Sequence, residues 1–192
     1  MKLRNKYYLL RHGEAVSNVK VVISCWPEKF HNPLTRKGVA KIKNVAKELQ
    51  GKNIDLIFSS PLLRTKETAG IVANNLDLKV KYDKRLRELE VGAYNGKPVE
   101  EFLRYFKDRK ERITKAVPKG ENYSDVLERI FDFLKDINKK YKGKTILIVS
   151  HQAPLLLLLG KVNGNTIAQS TDGMVDAKGE KKITKGELIA LN

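Results

Sequence analysis

Short apolar runs alternate along the chain with longer stretches of mixed polarity. Four of the runs are brief and rich in β-branched or aromatic residues, which is typical of buried strands. They are KYYLL at 6–10, IDLIFSS at 54–60, LKVKYDK at 78–84 and KTILIVS at 144–150. We predict a strand at each of these places, and one or two closing strands in the tail at 173–179 and 186–192.

Between the apolar runs, hydrophobic residues recur with helical spacing. The stretch 35–51 begins with a capping threonine and ends at a glycine. Its inward face is formed by Val39, Ile42, Ala46 and Leu49. Further helices are predicted at 61–76, at about 98–113, at 124–141 and from the end of the last apolar run to Gly160.

Alternation of strands and helices predicts a layered α/β fold with a mainly parallel sheet. The length of 192 residues fits one domain covering residues 1–192. Within this domain, the segment at about 98–122 is predicted to be a helical cap or insertion.

Composition indicates an ordinary folded protein, since 41% of the residues are hydrophobic and 31% are charged. The longest apolar passage, at 145–160, is interrupted by polar residues and a proline, so we expect no membrane span. No secretory leader pattern is present, and Cys25 is the only cysteine. We therefore expect a cytoplasmic location and no internal disulfide.

The net charge of +16 is the most unusual bulk property of the chain. The lysines are spread along the sequence, and the aromatic residues are not interleaved with them, so the pattern does not favour nucleic-acid binding. We expect the charge to attract small anionic substrates instead.

Charge-bearing side chains follow three of the predicted strands. Arg11 and His12 follow the first strand, Arg64 lies one helical turn beyond the second, and His151 follows the last. Ligands of parallel α/β sheets bind outside the carboxyl ends of the strands. The two histidines and two arginines are therefore predicted to meet at one edge of the sheet.

This set of side chains suits a phosphate group. Guanidinium groups bind phosphate oxygens through forked, charge-assisted hydrogen bonds. One neutral imidazole can attack phosphorus, and a second can stabilise the charge that develops in the transition state. An acid must also protonate the leaving oxygen, and we expect it in the carboxylate-containing loop 85–96.

Five segments in this order resemble the histidine phosphatase superfamily, the phosphoglycerate-mutase-like proteins. They are LLRHGEAVSN at 9–18, NPLTRKG at 32–38, SSPLLRTKETA at 59–69, LRELEVGAYNG at 86–96 and VSH at 149–151. The resemblance covers about residues 6–160. It implies a three-layer sandwich in which helices cover both faces of the sheet.

The resemblance also implies roles for individual residues. His12 would be the phosphorylated nucleophile, and Arg11, Arg64 and His151 would complete the phosphate pocket. Glu88 would be the proton donor, because family members place the acid four residues before a glycine, here Gly92. Glu90 is the second choice for this role, since its spacing to that glycine differs.

Three further residues are predicted to contact phosphate or substrate: Asn18, Ser24 and Gln152. Gln152 departs from the family pattern, in which a glycine usually follows the second histidine. Ala15 and Cys25 also depart from it, since a hydroxyl residue and a glycine are common at those two positions. The resemblance implies neither a metal ion nor another cofactor.

The function expected from these residues is hydrolysis of small phosphorylated metabolites through a phosphohistidine. Two alternatives remain open: a cofactor-dependent phosphoglycerate mutase, and a non-catalytic module that binds a phosphorylated ligand. We expect the chain to be too short for the central insertion of such mutases, which favours hydrolysis. The sequence leaves the oligomeric state open, a homodimer included.

Overall fold

A five-stranded sheet forms the centre of the protein. The computed structural model describes residues 1–172 and 183–191. The strands are β1 (Lys6–Arg11), β2 (Leu56–Ser59), β3 (Val80–Tyr82), β4 (Thr145–Ser150) and β5 (Leu188–Leu191). Four of them lie in the four apolar runs, and β5 lies in the tail. The other tail strand that we predict, at 173–179, lies outside the described residues.

The strands follow the spatial order β3-β2-β4-β1-β5. The pairs β1–β4, β2–β4 and β2–β3 are parallel, whereas β5 runs antiparallel to β1. The register sets Arg11 beside Ser150 and Ser59 beside Val149. The carboxyl ends of β1, β2 and β4 therefore meet at one edge of the sheet.

Helices connect the strands and cover the sheet. Within the described residues they are α1 (Val16–Lys20), α2 (Arg36–Gln50), α3 (Leu63–Leu76), α4 (Val99–Leu103), α5 (Tyr123–Lys140), α6 (Gln152–Val162) and α7 (Ile167–Thr171). Thr35 caps α2 as predicted, because its hydroxyl accepts the Gly38 N–H at 3.0 Å. No helix of this part of the chain has the length and apolar character needed to cross a membrane.

The core lies on both faces of the sheet. Leu9 and Ile148 pack with α5 and α6 in one hydrophobic cluster. Their strand neighbours Leu10 and Val149 point to the opposite face and pack with α2 and α3 in a second cluster. Alternate residues of a strand face opposite sides of a sheet. The predicted three-layer α/β fold is thus confirmed.

The prediction of one helix at about 98–113 is wrong, because the helix observed there is much shorter. α4 ends at Leu103, and a separate 3₁₀ turn follows at Lys110–Ile113. The carboxylate of Asp108 accepts the backbone N–H groups of Lys110 and Glu111 at 2.7 and 3.1 Å, which starts the new turn. Such a side-chain acceptor competes with continuation of the helix.

Candidate active site

The carboxyl edge of the sheet gathers the side chains expected there. His12 directly follows β1, and His151 directly follows β4. Their ring centroids are 5.2 Å apart. Arg64 is the second residue of α3, and its Nε donates to Nε2 of His12 at 3.2 Å. Residues more than a hundred positions apart in the sequence therefore meet at one point.

The hydrogen bonds of His12 fix its tautomer. Nδ1 lies 2.7 Å from the carbonyl oxygen of Gly13, which can only accept, so Nδ1 carries the proton. The Arg64 Nε–H can only donate, so Nε2 of His12 presents a lone pair. A neutral imidazole with its lone pair on Nε2 is the form needed for nucleophilic attack through that atom.

Glycine is required directly after His12. A Cβ at Gly13 would lie 2.8 Å from Cγ1 of Ile42 and 3.0 Å from the Gly38 carbonyl oxygen, both on α2. A Cβ at Gly38 would in turn collide with the Glu14 carbonyl oxygen. The loop after β1 thus packs backbone to backbone against the first turn of α2, which explains the order Arg-His-Gly.

The two arginines are buried and only partly hydrogen-bonded within the protein. Arg11 donates to the Ile183 carbonyl oxygen at 2.6 Å, while its buried Nε has no hydrogen-bond partner among the described residues. Burial lowers the pKa of Arg11 to about 10. Arg64 donates to the Ser24 carbonyl oxygen at 2.9 Å and to its hydroxyl at 3.3 Å. Each guanidinium is thus anchored by protein oxygens in a dehydrated place where an anion is favoured.

Glu28 belongs to this site, although the sequence analysis missed it. Its carboxylate lies 3.5 Å from Nη1 of Arg64 and accepts the Leu63 N–H at 2.8 Å. It therefore ties the loop before α2 to the first turn of α3. A single acidic residue in a loop gives no local signal of such a contact, so the sequence could not identify it.

His151 is fully buried beside His12. Its Nε2 lies 2.8 Å from the Ser60 hydroxyl, and within the part of the chain that the structure describes its Nδ1 has no hydrogen-bond partner. The pKa of His151 is well below its ordinary value, first because of burial and then because Arg64, His12 and Arg11 are close. The imidazole is therefore neutral at neutral pH.

Acidification is expected to destabilise the fold through His151. The unfolded chain takes up a proton near the ordinary pKa of about 6.5, whereas the folded protein does not. The free energy of unfolding should therefore fall below this pH by up to about 1.4 kcal/mol per pH unit. Urea titrations at several pH values, on the wild type and on His151→Gln, measure this effect.

The control for this experiment is His31→Gln, because His31 is exposed in a loop. We expect the pH slope to be smaller in His151→Gln and unchanged in His31→Gln. Equal slopes in all three proteins would show that His151 does not titrate in this way.

A cavity of about 240 Å³ opens beside His12. Seven of the eight predicted site residues line it: Arg11, His12, Asn18, Ser24, Arg64, Glu88 and Gln152. His151, the eighth, is not on the cavity wall. The wall also includes Arg109 and Arg112, which the sequence analysis missed. The lining is therefore strongly cationic, with Glu88 as its acidic member.

The structure places Glu88 and Glu90 differently. Glu88 lines the cavity, and one of its carboxylate oxygens accepts the Leu89 N–H at 2.9 Å. Glu90 does not line the cavity, and it forms an ion pair with Arg87 at 2.8 Å. Of the two carboxylates, only Glu88 faces the space beside His12.

The loop that carries Glu88 is held by distant residues. Arg129 of α5 donates to the carbonyl oxygens of Arg85 and Arg87 at 2.7 and 2.8 Å, and to that of Glu88 at 3.2 Å. The Ser150 hydroxyl donates to the Leu86 carbonyl oxygen at 2.7 Å. These contacts fix the backbone from which the Glu88 side chain extends into the cavity.

The remaining predicted residues lie on the cavity wall with different local roles. Oδ1 of Asn18 accepts the Ala15 N–H at 3.0 Å, which closes the first turn of α1. Ser24 orients Arg64, as described above. Gln152 is the first residue of α6. All three line the same cavity as His12. The hydrogen bonds described for Asn18 and Ser24 are made with other residues of the protein.

Candidate metal ligands and the single cysteine can be located within residues 1–172 and 183–191. No group of three His, Cys, Asp or Glu side chains in these ranges is arranged to hold a metal ion. Cys25 is buried, and burial raises the pKa of its thiol to about 11. The thiol is therefore protonated at neutral pH and is a poor nucleophile.

The fold and the site together define a class of enzyme. A mainly parallel sheet whose carboxyl edge sets a neutral histidine among buried arginines, beside an anion-attracting cavity, is suited to phosphoryl transfer. The sequence profile of the histidine phosphatase superfamily (branch 1) matches residues 7–178. The chain belongs to this superfamily, which confirms the resemblance.

Individual relatives agree with this assignment. The chain is 30% identical over 155 residues to phosphoserine phosphatase 1 of Hydrogenobacter thermophilus, covering 78% of this chain and 72% of that one. It is 33% identical over 162 residues to a probable phosphoglycerate mutase of Yersinia enterocolitica, covering 82% and 74%. The solved structure of Bacillus stearothermophilus YhfR superposes with a TM-score of 0.82 at 25% identity, covering 97% and 90%. The expected histidine-type phosphatase is confirmed at the level of the family.

Proposed function

We propose that this protein hydrolyses phosphomonoesters of small metabolites through a phosphohistidine on His12. The observation that carries the proposal is the lone pair on Nε2 of His12, which faces Arg64 beside a cationic cavity. The family membership of the chain and the name of its phosphoserine phosphatase relative support hydrolysis.

In the first step, the phosphate of the substrate binds between Arg11 and Arg64. Nε2 of His12 attacks phosphorus, the N–P bond forms, and the bond from phosphorus to the ester oxygen breaks. The Glu88 carboxyl group gives its proton to the departing oxygen. Arg11, Arg64 and His151 stabilise the charge on the phosphoryl oxygens.

In the second step, water attacks the phosphohistidine. The Glu88 carboxylate removes a proton from that water as the new P–O bond forms and the N–P bond breaks. Phosphate leaves, and His12 and Glu88 return to their starting protonation states. No metal ion or cofactor is needed to balance either step, so we propose that the reaction is metal-independent.

The phosphoenzyme is the direct test of this proposal. We expect rapid quenching during turnover of an aryl phosphate, with a chelator present, to trap one phosphoryl group on His12. The bond should be stable in alkali and labile in acid, as expected for a phosphoramidate, and peptide mass spectrometry locates it. Steady hydrolysis without any label on His12 would refute the mechanism, and phosphate binding without turnover would indicate a binding module.

A mutase reaction is the second candidate, because one relative is a probable phosphoglycerate mutase. It uses the same pocket but requires that the phosphoenzyme be protected from water. Interconversion of the two phosphoglycerate isomers, with bisphosphoglycerate present, measures it directly. We expect hydrolysis to be faster than this interconversion.

We also propose that residues 98–122 act as the cap of a single-domain enzyme. Val99, Phe102 and Leu103 from this segment line the cavity. The Val99 N–H donates to the Val21 carbonyl oxygen at 3.2 Å, which ties the segment to the loop after α1. Such a cap would cover the substrate and select among phosphoesters. We place the enzyme in the cytoplasm, where its single buried thiol stays reduced.

A further inference from the structure

The peptide group between His12 and Gly13 is held by a hydrogen bond at each end. The His12 carbonyl oxygen accepts the Gly186 N–H at 3.1 Å. In the opposite direction, the Gly13 N–H donates to the hydroxyl of Thr68 at 3.1 Å. This peptide group begins at the backbone of His12, so its orientation determines the position from which the imidazole extends.

Thr68 is a fully buried residue of α3. Its hydroxyl donates to the Arg64 carbonyl oxygen, one helical turn earlier, at 2.7 Å. A hydroxyl has one proton and two lone pairs, and a backbone N–H can only donate. The Thr68 oxygen therefore accepts the Gly13 N–H while its own proton is bound to Arg64, and the two hydrogen bonds fix its orientation.

Thr68 thus joins the two elements that carry His12 and Arg64. The side chains of these two residues are also hydrogen-bonded to each other, because Nε of Arg64 donates to Nε2 of His12 at 3.2 Å. His12, Gly13, Thr68 and Arg64 consequently form a closed ring of covalent and hydrogen bonds. Thr68 itself is not on the cavity wall, so any effect on a substrate passes through its neighbours in this ring.

The orientation of Gly13 also affects the proton on His12. The Gly13 carbonyl oxygen lies 2.7 Å from Nδ1 of His12 and keeps the proton on that nitrogen. Without the Thr68 hydroxyl, the buried Gly13 N–H would lose its acceptor, which is costly unless the backbone turns to find another. Such a turn would move the carbonyl oxygen away from Nδ1 and release the tautomer.

We propose that Thr68 is a positioning residue for the nucleophile: its hydroxyl fixes the Gly13 backbone that keeps the lone pair of His12 on Nε2, beside Arg64. Thr68 acts through Gly13 and Arg64 and touches none of the reacting atoms. The proposal rests on the proposed function only in treating His12 as the nucleophile.

Three variants test this role. Thr68→Val replaces the hydroxyl by a methyl group, and Thr68→Ser keeps the hydroxyl. The matched control is Thr171→Val, because Thr171 is also a buried helical threonine. Its hydroxyl donates to the carbonyl oxygens of Ile167 and Ala168 at 2.8 and 3.4 Å, both within α7. The control therefore removes the same kind of hydrogen bond within a helix, but leaves Thr68 in place.

Two kinds of measurement are needed. Nitrogen-15 NMR of the three histidine rings shows which nitrogen of each ring carries the proton. The signals of His12 are identified by their absence from His12→Ala. Kinetics with an aryl phosphate give kcat/KM, and calorimetry with inorganic phosphate gives a dissociation constant that does not depend on turnover.

We expect the wild type, Thr68→Ser and Thr171→Val to show His12 as a single tautomer with the proton on Nδ1. Thr68→Val should show a mixture of the two tautomers. Its kcat/KM should fall about ten-fold or more, while its dissociation constant for phosphate changes by less than about three-fold, because both arginines remain. Thr68→Ser and Thr171→Val should keep a kcat/KM close to that of the wild type.

The proposal would be overturned if Thr68→Val kept both the tautomer of His12 and the kcat/KM of the wild type. It would also be overturned if Thr171→Val lowered kcat/KM as much, or if Thr68→Ser behaved like Thr68→Val, since the hydroxyl would then not be the cause. If Thr68→Val does not fold, Thr68→Cys decides, because a thiol is a weak acceptor and an unchanged His12 in that variant would refute the proposal.

The NMR measurement separates this proposal from the proposed function. A His12 tautomer that depends on Thr68, in a protein that hydrolyses no phosphomonoester, would refute the proposed function alone. Hydrolysis through a phosphorylated His12 that is indifferent to the Thr68 hydroxyl would refute the positioning role alone.

Discussion

Replacement of His12 by alanine is expected to slow the hydrolysis of an aryl phosphate by at least about a thousand-fold, even with a chelator present. The variant keeps both arginines, but it lacks the nitrogen atom that forms the bond to phosphorus in the proposed mechanism. Phosphate should still bind, because Arg11 and Arg64 remain. We therefore expect the loss in kcat rather than in the affinity for phosphate.

His31→Ala is the matched control for this substitution. It also removes one imidazole, but from an exposed loop position. We expect it to retain the rate of the wild type. Thermal unfolding of both variants shows whether the fold is intact, which matters because His12 is buried. A folded His12→Ala protein with a rate close to that of the wild type would rule out the phosphohistidine mechanism.

The sequence predicted the fold where local pattern and tertiary structure agree. The apolar runs of β1, β2 and β4 are largely buried between helices on both faces, as parallel strands are. β3 lies at the edge of the sheet and is more exposed, but its run also forms a strand. The stretch 98–113 was predicted poorly. Its apolar spacing suits a helix, but Asp108 starts a separate turn, and Phe102 and Phe106 pack with Arg112 and Tyr123 instead. Such contacts are not visible in the spacing of apolar residues, so the pattern alone could not predict them.

The same distinction applies to the site. Arg11, His12, Arg64 and His151 could be located because the carboxyl edge of a parallel sheet collects whatever follows its strands. Glu28 and Arg129 could not, because each acts through partners far away in the sequence. Arg129, for example, binds carbonyl oxygens more than forty positions before it. Arg112 could not, because contacts between a guanidinium and aromatic rings follow no pattern that the sequence displays. Strand ends thus predict which side chains line the candidate site, whereas the residues that support them are found only in the structure.

Replacement of Glu88 by glutamine is expected to slow the hydrolysis of esters with poor leaving groups by about 10² to 10⁴-fold. An alkoxide leaving from an alkyl phosphate needs a proton, which glutamine cannot supply. A nitrophenolate leaves readily without one, so the nitrophenyl ester should be affected much less in its phosphorylation step. The experiment compares kcat/KM for a nitrophenyl, a phenyl and an alkyl phosphate, because kcat/KM reports the steps up to departure of the alcohol.

Glu90→Gln is the matched control that distinguishes the roles of the two carboxylates in this loop. It has the same change of charge and lies two residues away, but Glu90 pairs with Arg87 and does not face the cavity. We expect it to slow all three esters slightly and equally. If kcat/KM fell selectively for the alkyl ester in Glu90→Gln and was unchanged in Glu88→Gln, Glu90 would be the proton donor. Equal slowing of all three esters in Glu88→Gln would instead assign Glu88 a part in binding, because proton donation alone depends on the basicity of the leaving group.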